Sequence, residues 1–375
     1  MPTSCALVNL GTLAENIERV RARLPARLQV LFAVKSDAYG HGVEAVARLA
    51  EEAGVDYLGV AAVEEGERVR AAGVRLPVLL LGPALPDEVR EALKLDLTLP
   101  VFDLGMARTV ARTAAALRKR ARVHVMVDTG MGRFGISPER TPALLARLRG
   151  LAHLEVEGIL SHLAAADSER PENQAFTQSQ IEGFSSLLQE LPDRLRPRLC
   201  HIGNSSGLIQ YRELVTAPPF TMVRIGTLFY GYLEVHRPWA EIVRPAATLT
   251  ARVLALKDLA PQDTIGYGRT YRVRRPMRVA VVAMGYGQGL NPRLSNRGMV
   301  WIRGRLAPIV GKICLDHTIV DVTDLVGVQP GEEVEIFGPH LPADQIAERA
   351  GLAVCEVLVP ALRGAGVRRY INPGV

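Results

Sequence analysis

Lysine is scarce in this chain. Of 45 basic Lys and Arg side chains only Lys35, Lys94, Lys119, Lys257 and Lys312 are lysines. Lys35 stands in AVKSDAYGHG (33–42), after the apolar run LQVLFAV (28–34) and before a glycine-rich bend. Arginine serves solubility and surface ion pairs equally well, whereas lysine alone can shed its proton and act as an amine nucleophile. Apolar surroundings would lower its pKa and ready it to form a Schiff base with a carbonyl compound. A strand-end lysine pointing into water fits the same position, and at this level both readings stand.

The elements that must hold Lys35 follow from hydrophobic periodicity. Short apolar runs recur at 28–34, 57–60, 77–82, 95–101, 121–127, 154–160, 199–202 and 222–226. Helical spacing fills most of the gaps, as in Val43, Val46, Ala47, Leu49 and Ala50, or Ile181, Phe184, Leu187, Leu188 and Leu191. Eight strands with intervening helices predict an α/β fold, an (α/β)8 barrel, with a doubly wound open sheet as the rival. In a barrel, residues just past the C-terminal strand ends face the active site, which is where Lys35 falls.

From about residue 240 the pattern changes to strand-like runs (247–256, 278–284, 298–311, 317–323, 332–338) broken by turn signals such as Arg303-Gly304 and Pro330-Gly331. A helical segment (342–363) comes near the end. The division expected is a barrel over 1–238 and a mainly antiparallel β-domain over 239–375, with residues 1–10 candidates to pair with the second unit.

Composition narrows the function classes. Net charge is +6 and aromatic content 5%, and the basic clusters at 118–122 and 272–278 are short, so no nucleic-acid partner is expected. No run of about eighteen apolar residues occurs, so no membrane span is expected. The start, MPTSCALVNLGTLAENIERV, shows no secretory pattern, and the four cysteines form no CxxC pair. A cytoplasmic protein without disulfides or a zinc site is the expectation.

AVKSDAYGHG resembles the segment that carries the cofactor lysine in alanine racemases. VDTGMGRFG (127–135), SHLAAAD (161–167), HIGNSSG (201–207), MVRIG (222–226), YGRTY (267–271), MGYGQG (284–289) and APIVGKICLDHTIVDVT (307–323) match further segments of that family, in family order. The resemblance implies pyridoxal phosphate (PLP) as cofactor, a homodimer with shared active sites, and D-alanine supply for peptidoglycan. Lys35 would carry the cofactor and serve as one base, and Tyr267 would be the opposite base, from the partner subunit. Tyr39, Asn204, Ser205, Gly226 and Thr227 match phosphate contacts, and His162 lies beside the ring. Arg224 matches the arginine facing the pyridine nitrogen. Arg133 and Leu315 match substrate-binding positions, while Asp167, Tyr286 and Asp316 match residues lining the entry, with Arg293 near another such position.

The sequence also departs from the family. Met126 replaces a lysine that is often carbamylated and that positions the equivalent of Arg133, and a thioether supplies no negative charge. Gln288 replaces the usual aspartate, Lys312 an arginine and Leu315 a methionine. The family's C-terminal phosphate-binding tyrosine is missing from EVLVPALRGAGVRRY before Tyr370, with Arg363 a substitute candidate. These changes leave Lys35, Tyr39, Arg224 and Tyr267 in place. They open the alternative of a racemase with the same mechanism acting on serine or another amino acid. A non-catalytic PLP-binding protein is disfavoured by the second domain.

Overall fold

The computed structural model describes residues 2–235 and 238–372. Eight parallel strands form one sheet: β2 (Gln29–Ala33), β3 (Tyr57–Val60), β4 (Val78–Leu80), β5 (Leu97–Val101), β6 (Ala121–Met126), β7 (Leu154–Leu160), β8 (Leu199–His201) and β9 (Met222–Ile225). From β2 to β8 each strand pairs with the next in sequence, and β9 returns to pair with β2, leaving β8 and β9 as the one unpaired seam among the described strands. A doubly wound sheet reverses its order at the middle and never joins last strand to first, so that rival is excluded. At the remaining seam, Thr221 N donates to Cys200 O at 2.9 Å and Arg224 N to Gly203 O at 2.9 Å. The barrel is therefore nearly closed.

These strands are apolar along almost their whole length because both faces are covered. Outward residues such as Val30, Phe32, Leu58 and Leu80 meet the surrounding helices. Inward residues Leu31, Tyr57, Leu79, Met126, Leu160, Leu199 and Met222 form a separate apolar cluster. The helix Val43–Glu52 shows how the sequence fits its place. Its residues Val43, Val46, Ala47, Leu49 and Ala50 are all buried, as the spacing requires.

A second, mostly antiparallel sheet is organised by the 13-residue strand β10 (Ala247–Leu259). It pairs antiparallel with β1 (Ser4–Asn9), Met277–Val282 and Glu333–Phe337. Val367–Ile371 lies parallel to the other edge of β1. The chain thus starts in the second sheet, builds the barrel, and returns. Helices Ala343–Ala350 and Val354–Gly364 follow the sheet strands, and the second packs on the turn after β2, where a Cβ at Gly40 would meet Leu362 Cβ at 2.7 Å.

That turn is unusual. Ser36, Asp37, Ala38 and Tyr39 all have φ between 52° and 59°. Left-handed backbone is costly for residues with a Cβ and persists only where the surroundings over-determine it. Asp37 supplies the constraint. Its Oδ1 accepts from Val43 N at 3.1 Å and from Arg68 Nη2 at 2.7 Å, and its Oδ2 from Arg368 Nη2 at 2.6 Å. Burial alone would raise the carboxyl pKa, but the Val43 amide and the two guanidiniums outweigh it and hold it below the ordinary 3.8. Its stabilisation is thus present above the unfolded-state pKa and is lost as pH falls through the lower folded value. Asp37→Asn is expected to lower stability by about 3 kcal/mol at neutral pH, because two cations lose their anion. Urea unfolding checks this, and the gap between variant and parent should close at acid pH.

Candidate active site

The mouth of the barrel holds a cavity of about 380 Å³. Lys35, Tyr39, His162, Asn204, Ser205, Arg224, Gly226 and Thr227 all line it. Eight residues chosen from four separated motifs are thus brought to one place by the ends of β2, β7, β8 and β9. Lys35 is half-buried, with Nζ 5.9 Å from the centre of the Tyr39 ring. Burial first, then the charge of Arg133, draws its pKa below the ordinary 10.5. The amine is therefore biased toward the neutral form that attacks carbonyls or accepts a proton.

One end of the cavity is built for an oxyanion. Ser205 Oγ accepts from Gly226 N at 2.9 Å and from Leu228 N at 3.4 Å. With its lone pairs so used, its hydroxyl hydrogen is left to donate inward. The Tyr39 phenol is pushed upward by burial and stays a neutral donor. The Asn204 side chain caps the next helix, accepting from Gly207 N at 2.8 Å, and so fixes the loop rather than donating from that oxygen. Gly226 leaves room for the phenol: a Cβ there would lie 2.8 Å from Tyr39 Oη. A Gly226→Ala variant is expected to displace the phenol and weaken binding of a phosphorylated ligand about tenfold, the loss of one charged hydrogen bond. Fluorescence titration with pyridoxal phosphate measures this.

Arg224 forms the floor. Its Nη1 donates to His201 Nδ1 at 2.8 Å and His201 O at 3.1 Å; its Nη2 donates to Ser161 O at 2.7 Å, His162 Nδ1 at 3.1 Å and Ile202 O at 3.2 Å. Burial lowers its pKa to about 10, so it remains charged at neutral pH. Packing around the His162 ring, with Arg224 beside it, holds that imidazole down to about 3. His162 is thus neutral, accepts at Nδ1, and presents an Nε2–H.

A smaller cavity of about 80 Å³ adjoins the first and shares Lys35, His162 and Arg224. Arg133 and Met126 line it, with Leu81, Val127, Met131, Phe134 and Leu160. Met126 is buried in the apolar barrel layer. Arg133 is held instead by its neighbour, its guanidinium carbon 5.6 Å from the centre of the Phe134 ring. This is a cation–π distance.

The remaining predicted residues do not line this cavity. Tyr267 lies in the second domain on the single turn Tyr267–Arg269 and is 71% exposed. Tyr286, Leu315 and Asp316 cluster nearby in the chain's second half, where Gly287 N donates to Leu315 O at 2.8 Å and Gln288 Nε2 to Asp316 Oδ1 at 3.1 Å. Asp167 lines a separate groove with Glu234. Arg293 donates to Gly351 O at 3.2 Å. Arg363 is exposed and does not line the main cavity; Cys355 and Val359, from the same helix, do. This wall of the cavity is therefore apolar and thiol.

Sequence reading missed several lining residues. Ser206 donates to Glu234 Oε2 at 2.7 Å, and both line the main cavity. Glu234, Cys355 and Val359 carry no motif, and only the fold brings them here. His201 had a signal, being part of HIGNSSG.

An eight-stranded barrel with a reactive lysine at its mouth, joined to an antiparallel sheet domain, defines a two-domain barrel enzyme built on amine chemistry. A family model for the alanine racemase N-terminal domain matches residues 8–234, and one for the alanine racemase C-terminal domain matches 246–369. An alanine racemase 2 from Caldanaerobacter subterraneus subsp. tengcongensis is 36% identical over 354 residues, 91% of this chain and 88% of that protein. A solved alanine racemase structure from Clostridium difficile 630 agrees with TM-score 0.89 at 29% identity, covering 100% of this chain and 97% of that one. Another from Bartonella henselae, with covalently bound pyridoxal phosphate, has TM-score 0.86 at 25% identity and covers 99% and 100%. The chain belongs to the alanine racemase family.

Proposed function

We propose that this chain racemises alanine with pyridoxal phosphate, taking a proton from one face of Cα and returning one on the other. The observation that carries this is the single cavity joining a neutral-biased Lys35 amine, a hydroxyl-lined anion end, and a locked Arg224 between barrel strands. These residues fit the cofactor. Lys35 would hold its carbonyl carbon; Tyr39, Ser205, Thr227 and the Asn204 and Gly226 loops its phosphate; His162 and Arg224 its ring. When bound, pyridoxal phosphate supplies an electron-withdrawing ring that acidifies Cα–H.

The protein's own groups do the rest. Lys35 accepts or returns a proton at Nζ on one face, which its lowered pKa favours. Arg224 can only donate hydrogen bonds, so it leaves a facing ring nitrogen unprotonated and moderates the electron sink. That restraint favours proton removal and return over wider bond cleavage. Arg133 offers its guanidinium to the substrate carboxylate from the adjoining cavity. Leu315 and Asp316, with Tyr286 and Asp167, would border the approach.

The second base is Tyr267, supplied by residues 239–375 of a partner copy, while residues 1–238, apart from β1, hold the cofactor. Exposure of Tyr267, Tyr286 (48%) and Leu315 (52%) in the single chain supports a homodimer that covers them. Among the described residues no helix is long and apolar enough to cross a membrane. We place the enzyme in the cytoplasm, supplying D-alanine to peptidoglycan. Chiral chromatography of L-alanine incubated with the chain and pyridoxal phosphate tests the reading. Drift toward equal enantiomers is expected, and unchanged L-alanine at high enzyme concentration refutes it. The Phe134-held Arg133 and the Val359–Cys355 wall favour one further reading, a preference for serine or a larger side chain, which a panel of L-amino acids decides.

A further inference from the structure

A line of buried polar side chains runs from Arg224 through the barrel interior toward the N-terminal ends of the strands. Arg224 Nη1 meets His201 Nδ1 at 2.8 Å, and His201 Nε2 meets His124 Nδ1 at 3.0 Å. His124 Nε2 faces Glu157 Oε2 at 3.5 Å, too far and too poorly aligned for a hydrogen bond, and has no other polar partner among the described residues. Glu157 ends the line, accepting from Tyr57 Oη at 2.5 Å and Arg198 Nη2 at 2.6 Å. Tyr57 opens β3 and Arg198 precedes β8. His124 and His201 are fully buried, and Glu157 is 5% exposed.

The direction of every hydrogen bond in this line is fixed by its two charged ends. A guanidinium has only donors, so His201 Nδ1 must accept and the neutral ring carries its hydrogen on Nε2. That hydrogen points at His124 Nδ1, which must accept in turn. The hydrogen of His124 is then on Nε2, facing a carboxylate that has only acceptors. Burial and the Arg224 charge hold His201 well below the ordinary imidazole pKa, and burial lowers His124 too, so both rings are neutral. Burial would raise the Glu157 pKa, yet His124 facing it and the Tyr57 hydrogen bond hold it down to about 2. Arg224 meets no carboxylate among the described residues, and the anion nearest along this line is Glu157, two imidazoles away.

We propose that Glu157 is a positioning residue for Arg224: through His124 and His201 it fixes both tautomers and keeps the guanidinium charged and aimed at the cofactor ring. The link to the ring rests on the function proposed above; the tautomer order does not. Leu31, Leu79, Met126, Leu160, Leu199 and Met222 pack in the barrel interior around the line, with Thr98 Oγ1 3.2 Å from Tyr57 Oη.

The test is ¹⁵N-histidine NMR on the full chain, with and without pyridoxal phosphate, together with kinetics of Glu157→Gln. Wild type should show both imidazoles neutral and protonated at Nε2, unchanged from pH 6 to 8. Glu157→Gln presents an amide that can donate as well as accept, so His124 and His201 should populate mixed tautomers. The absorbance of the bound cofactor should shift, and kcat should fall on the order of tenfold with KM nearly unchanged. Tyr57→Phe removes one donor to Glu157 and should move the same resonances the same way, by less; it decides the matter should Glu157→Gln not fold. A wild-type His201 protonated at Nδ1, an imidazole titrating between pH 6 and 8, or folded variants with unchanged resonances and kcat overturn the proposal. A wild type that racemises no amino acid refutes the functional reading alone, because the tautomers are read independently of turnover.

Discussion

A Tyr267→Phe variant keeps the visible absorbance of bound pyridoxal phosphate and racemises alanine about 10²- to 10⁴-fold more slowly, the span expected for loss of one positioned acid–base group. Two features make this variant informative. Tyr267 is 71% exposed in the single chain, so removing its hydroxyl strips no buried partner and should leave stability within about 0.5 kcal/mol. It also lies outside the cavity lined by Lys35, so cofactor binding should be untouched. In deuterium oxide the variant should still exchange Cα–H on the face that Lys35 serves, and inversion alone should fail. Unchanged turnover would remove Tyr267 from the mechanism. A mixture of Tyr267→Phe and Lys35→Ala chains should regain up to about one quarter of wild-type activity if subunits exchange, because a site then draws its two bases from different copies.

Lys35→Ala should purify without that absorbance and lose racemisation by at least about 10⁴-fold, since one residue holds the cofactor and also moves the proton. The same geometry predicts partial rescue. Deleting the side chain leaves Tyr39, Ser205 and Thr227 to hold phosphate and opens space beside Leu81 and Ala33. Methylamine should enter that space and restore some turnover, more as pH rises and the added amine loses its proton. Absorbance spectra and chiral chromatography read both effects. Lys35→Ala with near-wild-type activity would mean that the chemistry lies elsewhere. Lys35→Arg is a sharper companion: it preserves charge and bulk but should stay inactive, because a guanidinium does not give up its proton near neutral pH.

Much of this was readable in the sequence, and the reason is periodicity. The eight apolar runs fell on the eight barrel strands because parallel strands buried on both faces read as nearly continuous apolar segments. Closure was not readable, since pattern alone does not say whether the last strand meets the first. The pairing of Gln29–Phe32 with Met222–Ile225 settles it. The rarity of Lys35 and its place at a strand end left two readings open, and the resemblance of AVKSDAYGHG to the cofactor-lysine segment chose between them. Glu234, Cys355 and Val359 were not legible, because each reaches the cavity from an element whose local pattern records only its own helix or loop. The contact on Arg133 was also hidden: Phe134 follows it in sequence, yet nothing in a single aromatic residue says that its ring meets the guanidinium. The polar line from Arg224 to Glu157 escaped for a related reason. His124 and Glu157 sit inside runs that read as apolar strands, and only the barrel's inward face joins them.

The left-handed turn that carries Lys35 has a consequence for timing. Asp37 fastens that turn to Arg368, a residue 331 positions later in the chain. Arg368 reaches it only after Val367–Ile371 has settled beside β1, itself held by β10. During synthesis the barrel strands can pair with near neighbours long before this latch exists. The last tie on the lysine's turn is therefore made late. A nascent chain with a finished barrel would hold that turn by Val43 and Arg68 alone. The third tie joins the two ends of the polypeptide, so the lysine's setting draws on the whole molecule and not on the barrel alone.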